Sequence, residues 1–548
     1  LTACTSAWKP DYSATRERHD APDGAADYYA MKRGGTDDRE RAYTIAREHM
    51  QRMPRYATTS DTLYAPRERS LSTDAEETAT RPFRKWQFLG PGNIGGRTRA
   101  LLIDPVEPEI MYAAGVSGGV WKSTTGGVQW EPVGDAMNNI AVNSMVMHPV
   151  DRNVLYAGTG EGYFREAERG TALPLRGNGI FMTRDGGETW THLTSTANNE
   201  NFHYVNDLVI SKHDPSRLYA ATRTGVWRSL DGGATWTHSL FASVKGGCLD
   251  FAYRSDTGGD YLFASCGTFA QATIYRNKNT ELDLGWEAVH TDTDMGRTSI
   301  AIAPSNPSII YGLSATNEAG PNAQGLHAVW RSDSDGDPGS WVARVRKDST
   351  HDVVGPTMLT NLITVDRRIC LGHHDEAPVT MGWYCNALAV DPTNPERIFA
   401  GGVDIFRSDD GGSTWGLASY WFADSRNELP YLHADQHAIV FHPQYDGVKN
   451  TTIFFGNDGG VAKTDNALAR VPKGKDAICI DARSQLQYES LNRNYGVTQF
   501  YHGAVFPDGR RFLAGAQDNG SILGNTDLGP DAWLPVNGGD GGYVAVDP

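Results

Sequence analysis

The residues best placed to do chemistry lie in one short phrase, His433-Ala-Asp435-Gln-His437, followed by an apolar run to His442-Pro443. Strand alternation would put His433, Asp435 and His437 on one face, about 7 Å apart at each step. Imidazoles and a carboxylate at that spacing could contact a polar ligand, hold a metal, or run acid–base chemistry. Further carboxylates sit in glycine-rich phrases. They are Glu161 in Gly158-Thr-Gly-Glu161-Gly162, Asp404 in Gly401-Gly-Val-Asp404, and Asp458 in Gly456-Asn-Asp458-Gly-Gly460. Asp518 lies in Gly515-Ala-Gln-Asp518-Asn-Gly520, and Asp540 in Gly538-Gly-Asp540-Gly-Gly542. Asp beside Gly is first of all a turn former. If these turns meet at one rim, two of Glu161, Asp435, Asp458, Asp518 and Asp540 would act as acid and base or nucleophile in glycoside hydrolysis. The same oxygens could hold a cation such as Ca2+.

These residues must be positioned by a repeated unit. Three copies of one eight-residue phrase, [S/T]-x-D-G-G-x-T-W, occupy Thr183 to Trp190, Ser229 to Trp236 and Ser408 to Trp415. Asp-Gly-Gly between extended runs signals a hairpin turn, and the Trp that follows is a large apolar plug. A degenerate copy runs from Ser123 to Trp130. A longer phrase also recurs: apolar strand, Pro, a few residues, then a strand ending in an aromatic. Its anchors are Tyr112, Tyr156, Tyr219, Phe263, Tyr311, Phe399, Phe455 and Phe512, with a shortest spacing of 44 residues (112 to 156, 219 to 263). That period suits a four-stranded propeller blade.

In this reading the strand before Pro is innermost and the strand beside the Trp is outermost. At least eight blades are expected, as one large ring or two rings in tandem. Val544 to Pro548 reads as the inner strand of one more blade in a repeat cut short at the C-terminus.

Counting back six residues from each repeat's Pro gives Arg99, Asn143, Thr298, Asn386 and His437, and the looser copies give Asn206 and Tyr501. All are polar and expected to point inward. With Arg97 and His433 they form a candidate ligand ring.

Only 39% of the 548 residues are hydrophobic, whereas 60 are Gly and 14 are Trp. Glycine turns with aromatic plugs suit many short strands. The formal charge of −16 argues against nucleic acid as a partner. No run of 18 apolar residues exists, so no transmembrane helix is expected. Residues 1–80 read as a tail and a short helix, with Ala42, Ile45, Ala46, His49, Met50 and Met53 at helical spacing. From Trp86 to Pro548 the texture is that of strands. Leu1-Thr2-Ala3-Cys4 resembles a bacterial lipobox, which would make Cys4 a lipid attachment site. Cys248 and Cys266 flank a turn symmetrically, and Cys370 and Cys385 bracket a short segment. Two local disulfides are plausible for an exported protein, with Cys479 left over.

The repeated phrase resembles the Asp-box, or BNR repeat, of sialidases, sortilins and related β-propellers. Together with Leu89 to Arg97, Gly115 to Ser123, Gly158 to Glu161, His433 to His437, Gly456 to Gly460 and Gln517 to Gly520, it makes residues 86–548 similar to large bacterial surface or secreted propeller proteins. The resemblance implies an all-β propeller outside the cytoplasm, as a lipoprotein or secreted, binding extracellular polysaccharide, glycoprotein or protein through its polar central face. It equally implies two alternatives: a sialidase- or xyloglucanase-like glycoside hydrolase, or a sortilin-like scaffold. Two departures from the enzymes are visible. The Phe/Tyr-Arg-Ile-Pro phrase of sialidases is missing at Gly96-Arg97-Thr98-Arg99. The acidic residue of a first-blade xyloglucanase phrase is missing from Ala113 to Gly119.

Overall fold

A computed structural model describes residues 55–57, 62–64 and 88–547, apart from 136, 164–174, 242–245, 281–284, 321–322, 374, 376 and 424–428. Near the N-terminus, Arg55–Ala57 pairs antiparallel with Thr62–Tyr64 in a small hairpin that the sequence reading did not anticipate. The expected helix around Ala42 to Met53, and Cys4, lie outside the described residues.

From residue 98 onward the described residues form eight sheets. Each has four antiparallel strands taken in sequence order. The innermost strands of the first seven are Thr98–Ile103, Val142–Met147, Val205–Ile210, Cys248–Arg254, Met295–Ile302, Ala387–Val390 and Gln436–Phe441. Each packs against the next, and the seventh packs against the first. Seven sheets therefore close a ring, and the eighth, with inner strand Phe500–Val505, stands outside that cycle. All eight aromatic anchors lie in second strands, as the repeat predicts. Residues 541–547 form no strand, contrary to the expectation of a further inner strand there; Gly541 N–H instead bonds to Ala516 O.

The repeated phrase is the turn between third and fourth strands. In its three full copies Asp185, Asp231 and Asp410 each accept the backbone N–H and the hydroxyl of the Thr four residues on, at 2.5–2.9 Å. The leading hydroxyl of Thr183, Ser229 or Ser408 accepts the N–H of the second Gly at 2.8–3.0 Å. Both glycines have positive φ, for example 68° and 100° at Gly186 and Gly187, which explains why the phrase requires them. In the degenerate copy Thr125 replaces the Asp and accepts Gln129 N–H.

The Trp of each turn plugs the gap to the preceding blade. Trp190 donates to Val133 O, and Trp415 is fully buried among residues of the fifth and sixth blades. The second-strand tyrosines reach the other way. Tyr112 and Tyr156 donate to Gly186 O and Gly232 O in the next blade's turn. Trp and Tyr together set the register between neighbouring blades.

No strand is shared across the closure. Instead the segment after the seventh blade wedges between blades seven and one. Leu491, Tyr495 and Val497 join Leu101, Met111, Trp121, Trp130, Phe454 and Val461 in one buried cluster. Trp130 donates to Leu491 O, and the Tyr495 hydroxyl lies 3.0 Å from Thr98 Oγ1. The fit is close enough that a Cβ on Gly118 would stand 2.5 Å from Val497 Cγ1. The same segment leads into the eighth sheet, whose Trp533 and Ile522 cover Ile94.

The connection between the fifth and sixth blades, where the repeat spacing is longest, carries a helix at Leu362–Ile369. It packs on the short helix Lys475–Ile478 of the seventh blade. Cys248–Cys266 bridges paired strands as expected. The other pairing is a correction. Cys370, at the end of the first of these helices, bonds Cys479 at the end of the second. Cys385 stays a buried free thiol because its side chain points toward Met381 O and the Asp435 carboxylate.

Candidate functional site

Every inner strand except Ala387–Val390 begins with a register shift. The single residues left out of the ladder are Arg99, Asn143, Asn206, Leu249 and His437 in the ring and Tyr501 in the eighth sheet. A bulge frees its extra residue from strand pairing and re-aims the side chain. Five of the seven counted positions are thus bulge residues. Asn386 sits one residue ahead of its strand, and its amide donates to Leu313 O. Asn143 donates to Asn206 O and Asn206 to Cys248 O, tying blade to blade. Thr298 is the position the count misses. There the shift covers two residues, so Arg297 is the residue that reaches the channel.

Side chains converge at the ring's centre. Glu161 receives Arg97 Nη1 at 2.9 Å and Arg99 Nε at 2.6 Å, one on each oxygen. Asp458 receives His437 Nε2 at 2.7 Å and the Tyr384 hydroxyl at 2.5 Å, and lies 3.4 Å from Arg97 Nε. Arg99 Nη1 stands 3.0 Å from His437 Nδ1. The Arg99 guanidinium lies over both the Tyr163 and Tyr384 rings, and Arg297 lies 4.0 Å over Tyr163. Arg297 also donates to the carbonyls of Trp383 and Tyr384. Arg97, Arg99, Arg297, Glu161 and Asp458 are all buried.

Burial opposes charge on every one of these groups, and the neighbours decide the outcome. The Arg97 and Arg99 guanidiniums outweigh desolvation at Glu161 and hold its carboxyl low. Desolvation is again the largest effect at Asp458, but Arg97 and His437 overcome it and hold that carboxyl well below the carboxylate range. His437 is pushed down to about 4 by burial, reinforced by Arg99. Glu161 and Asp458 are therefore fixed as anions inside a neutralising shell. They lack the raised pKa of a general acid, and all four of their oxygens already accept a hydrogen bond.

The expected shared face of His433, Asp435 and His437 does not form. The strand starts at Gln436, Asp435 has φ 66°, and His437 is bulged, so the three side chains diverge. His433 Nε2 lies 3.0 Å from Asp518 O, Asp435 meets Cys385, and His437 meets Asp458. Among the described residues these do not form a metal-ligand cluster. Asp404 is buried away from the channel, accepting the Ser419 hydroxyl and Trp421 N–H. Burial pushes its carboxyl up to about 8.

The loop Gln517–Asn519 of the eighth sheet caps one side of this centre. Asn519 Nδ2 donates to Asp458 O, and Asp518 N–H donates to the Asp540 carboxylate at 2.9 Å. The Tyr501 hydroxyl also reaches Asp540. Asp518 contrasts with the inner carboxylates. Desolvation and then the negative charge of Asp458 push its carboxyl well up, with Asp540 and Asp435 adding to the effect despite Arg97. Asp540 and Tyr543 are exposed beside it, and Trp383 and Trp421 are partly exposed on a neighbouring cluster.

Tyr163, Tyr384, Cys385 and Arg297 are the functional-site residues that the sequence reading missed. Three of them come from connections rather than strands and carry no periodic signal. Arg297 could have been found by allowing the inner-strand count to slip by one.

A closed ring of four-stranded blades around a polar channel defines the protein as a β-propeller. The solved structures it resembles agree. The GH74 xyloglucanase from Xanthomonas campestris matches with TM-score 0.55 and 18% identity, over 80% of this chain and 60% of that one. The GH74 enzyme of Niastella koreensis matches with TM-score 0.53 and 16% identity, over the same shares. The chain thus spans about 60% of the length of these two proteins. No family model and no curated protein matches it.

Proposed function

We propose that this protein is a glycan-binding propeller. Its site is the rim where the Gln517–Asn519 loop meets the ring. The observation that carries this reading is the locking of Glu161 and Asp458 by Arg97, Arg99, His437 and Tyr384. The deep channel is scaffold, and recognition falls to Asp518, Asp540, His433 and Tyr501, with the indoles of Trp383 and Trp421 offering apolar faces. Pockets that combine aromatic walls with a few oriented polar groups suit sugars. The likeness to two GH74 structures supports a glycan as ligand. On this reading the three turn phrases are Asp-box repeats and the eighth sheet opens a second ring. The protein works outside the cytoplasm, anchored through Cys4 or secreted. Its two disulfides support that location.

A second reading rests on Asp518. A carboxyl pushed well up by burial and by a neighbouring carboxylate is the arrangement of a general acid in glycoside hydrolysis. Asp540 or Asp435 would then be the partner carboxylate.

The two readings separate in one experiment. The chain is presented with neutral and acidic polysaccharides, and both affinity and new reducing ends are measured. Binding that Asp518→Asn and Asp540→Asn weaken, with no reducing ends formed, supports recognition. Reducing ends that vanish in Asp518→Asn establish hydrolysis. No binding to any glycan sinks both and leaves the scaffold reading.

A further inference from the structure

Asp366 and Cys370 stand four residues apart on the helix Leu362–Ile369 and its cap, so both project from one face. Cys479 caps the short helix Lys475–Ile478, which packs against it. An oxygen of Asp366 and the two sulfurs all lie within 4.8 Å of one another, each partly shielded from solvent. Among the described residues this is the one group of three His, Cys, Asp or Glu side chains with the spacing of a metal site. In the structure the two sulfurs are joined as a disulfide.

We propose that Asp366, Cys370 and Cys479 form a redox-gated site for a thiophilic divalent cation of the Zn2+ class. When the sulfurs are joined, the link between the two helices is covalent. A dithiol opens it by thiol–disulfide exchange: it delivers two electrons and two protons, leaves two Cys thiols, and closes to its own disulfide. The cation then displaces the two thiol protons. It takes two thiolates and one carboxylate oxygen, and water completes the tetrahedron. Thiolate and carboxylate ligands lie about 2.0–2.3 Å from a common centre, so once the bond is cut the two sulfurs must move apart from their bonded spacing to sit on either side of the cation. The helix pair is then held together in both redox states. This matters to the channel because the connection that begins at this helix ends in Trp383 and Tyr384, whose carbonyls hold Arg297.

The test uses the full chain, with Co2+ as the probe. The protein is reduced with a phosphine, desalted without oxygen, and titrated. The expected result is one Co2+ per reduced chain with thiolate-to-cobalt absorption in the near ultraviolet, and none in the oxidised chain. Asp366→Asn should weaken binding by about tenfold or more while keeping that absorption. Cys370→Ser with Cys479→Ser should abolish it. Near-ultraviolet circular dichroism follows the fold throughout. Reduced chain that takes up no Co2+ overturns the proposal, whether or not it keeps that signal. Uptake that persists in the double Ser variant overturns it as well, since the ligands would then lie elsewhere.

Discussion

His437 is held in one tautomer by Asp458. The ionised carboxylate accepts a hydrogen bond from Nε2–H at 2.7 Å, which leaves Nδ1 to accept from Arg99 at 3.0 Å. A neutral imidazole is the only form that satisfies both neighbours, and burial reinforces it.

The first prediction follows from that neutrality. The folded pKa of His437, about 4, lies below the usual value of 6.5, so the unfolded chain binds the proton more readily. The contribution is complete above pH 6.5 and is lost as pH falls toward 4, on the order of 3 kcal/mol in all. Below that window Glu161 and Asp458, both held low, begin to take protons, and stability falls further. Urea unfolding from pH 8 to 4 should show the first fall, and His437→Gln should flatten it.

Arg97 touches both inner carboxylates, so removing it strands charge in a dry interior. Arg97→Met should cost about 3–5 kcal/mol in urea unfolding. Arg97→Lys should recover only part, because a point charge cannot replace the planar fork. A loss below about 1 kcal/mol would mean that the network is solvated in solution.

The turn phrase and its Trp should behave very differently. Trp415 is fully buried between blades, and Trp415→Ala should cost about 3–5 kcal/mol. Asp410→Ala removes hydrogen bonds at a partly exposed turn and should cost about 1 kcal/mol. If the protein binds glycan as proposed, neither change should alter that affinity beyond its effect on the folded fraction, which an affinity measurement on folded protein checks.

Most of the architecture was legible because the repeat writes it eight times. Tyr112, Tyr156 and their counterparts mark second strands, and Asp-Gly-Gly marks turns. The closure was not legible. It depends on Tyr495 and Val497 packing against Trp121 and Met111, contacts between opposite ends of the ring with no local signature. The site was half legible. Fixed counting found Arg99, Asn143, Asn206 and His437 because bulges recur at one place, and Asn386 because it directly precedes its inner strand. It failed at Arg297, where the bulge is one residue longer, and at Tyr384, which arrives on a connection. Cys370 was paired with the nearer cysteine because sequence distance says nothing of two helices that meet 109 residues apart.

Asp518 should be a stability liability. Its folded pKa is raised, so stability is full below the unfolded value and falls as pH rises through the folded one. Asp518→Asn carries no charge and should raise the melting temperature at pH 7 relative to pH 4. A residue that weakens the fold while facing the rim is expected of a binding or catalytic group. An unchanged or lowered melting temperature would remove that argument.

Tyr495 meets Trp121 edge-on and Trp130 at a tilt, at 5.7 and 5.4 Å between ring centroids. Tyr495→Ala should open the junction of blades one and seven before any other. Limited proteolysis should then cut near residues 491–498 while the remaining blades stay protected in hydrogen exchange.

The wedge at 491–498 is also the stalk from which the eighth sheet hangs. A twist or pull on that sheet is therefore delivered to the joint of the ring where the chain does not run directly from one blade into the next. A ligand that grips both the ring and the Gln517–Asn519 loop would brace that joint like a thumb on a clasp. Binding at the rim would then be felt as mechanical toughness of the whole wheel.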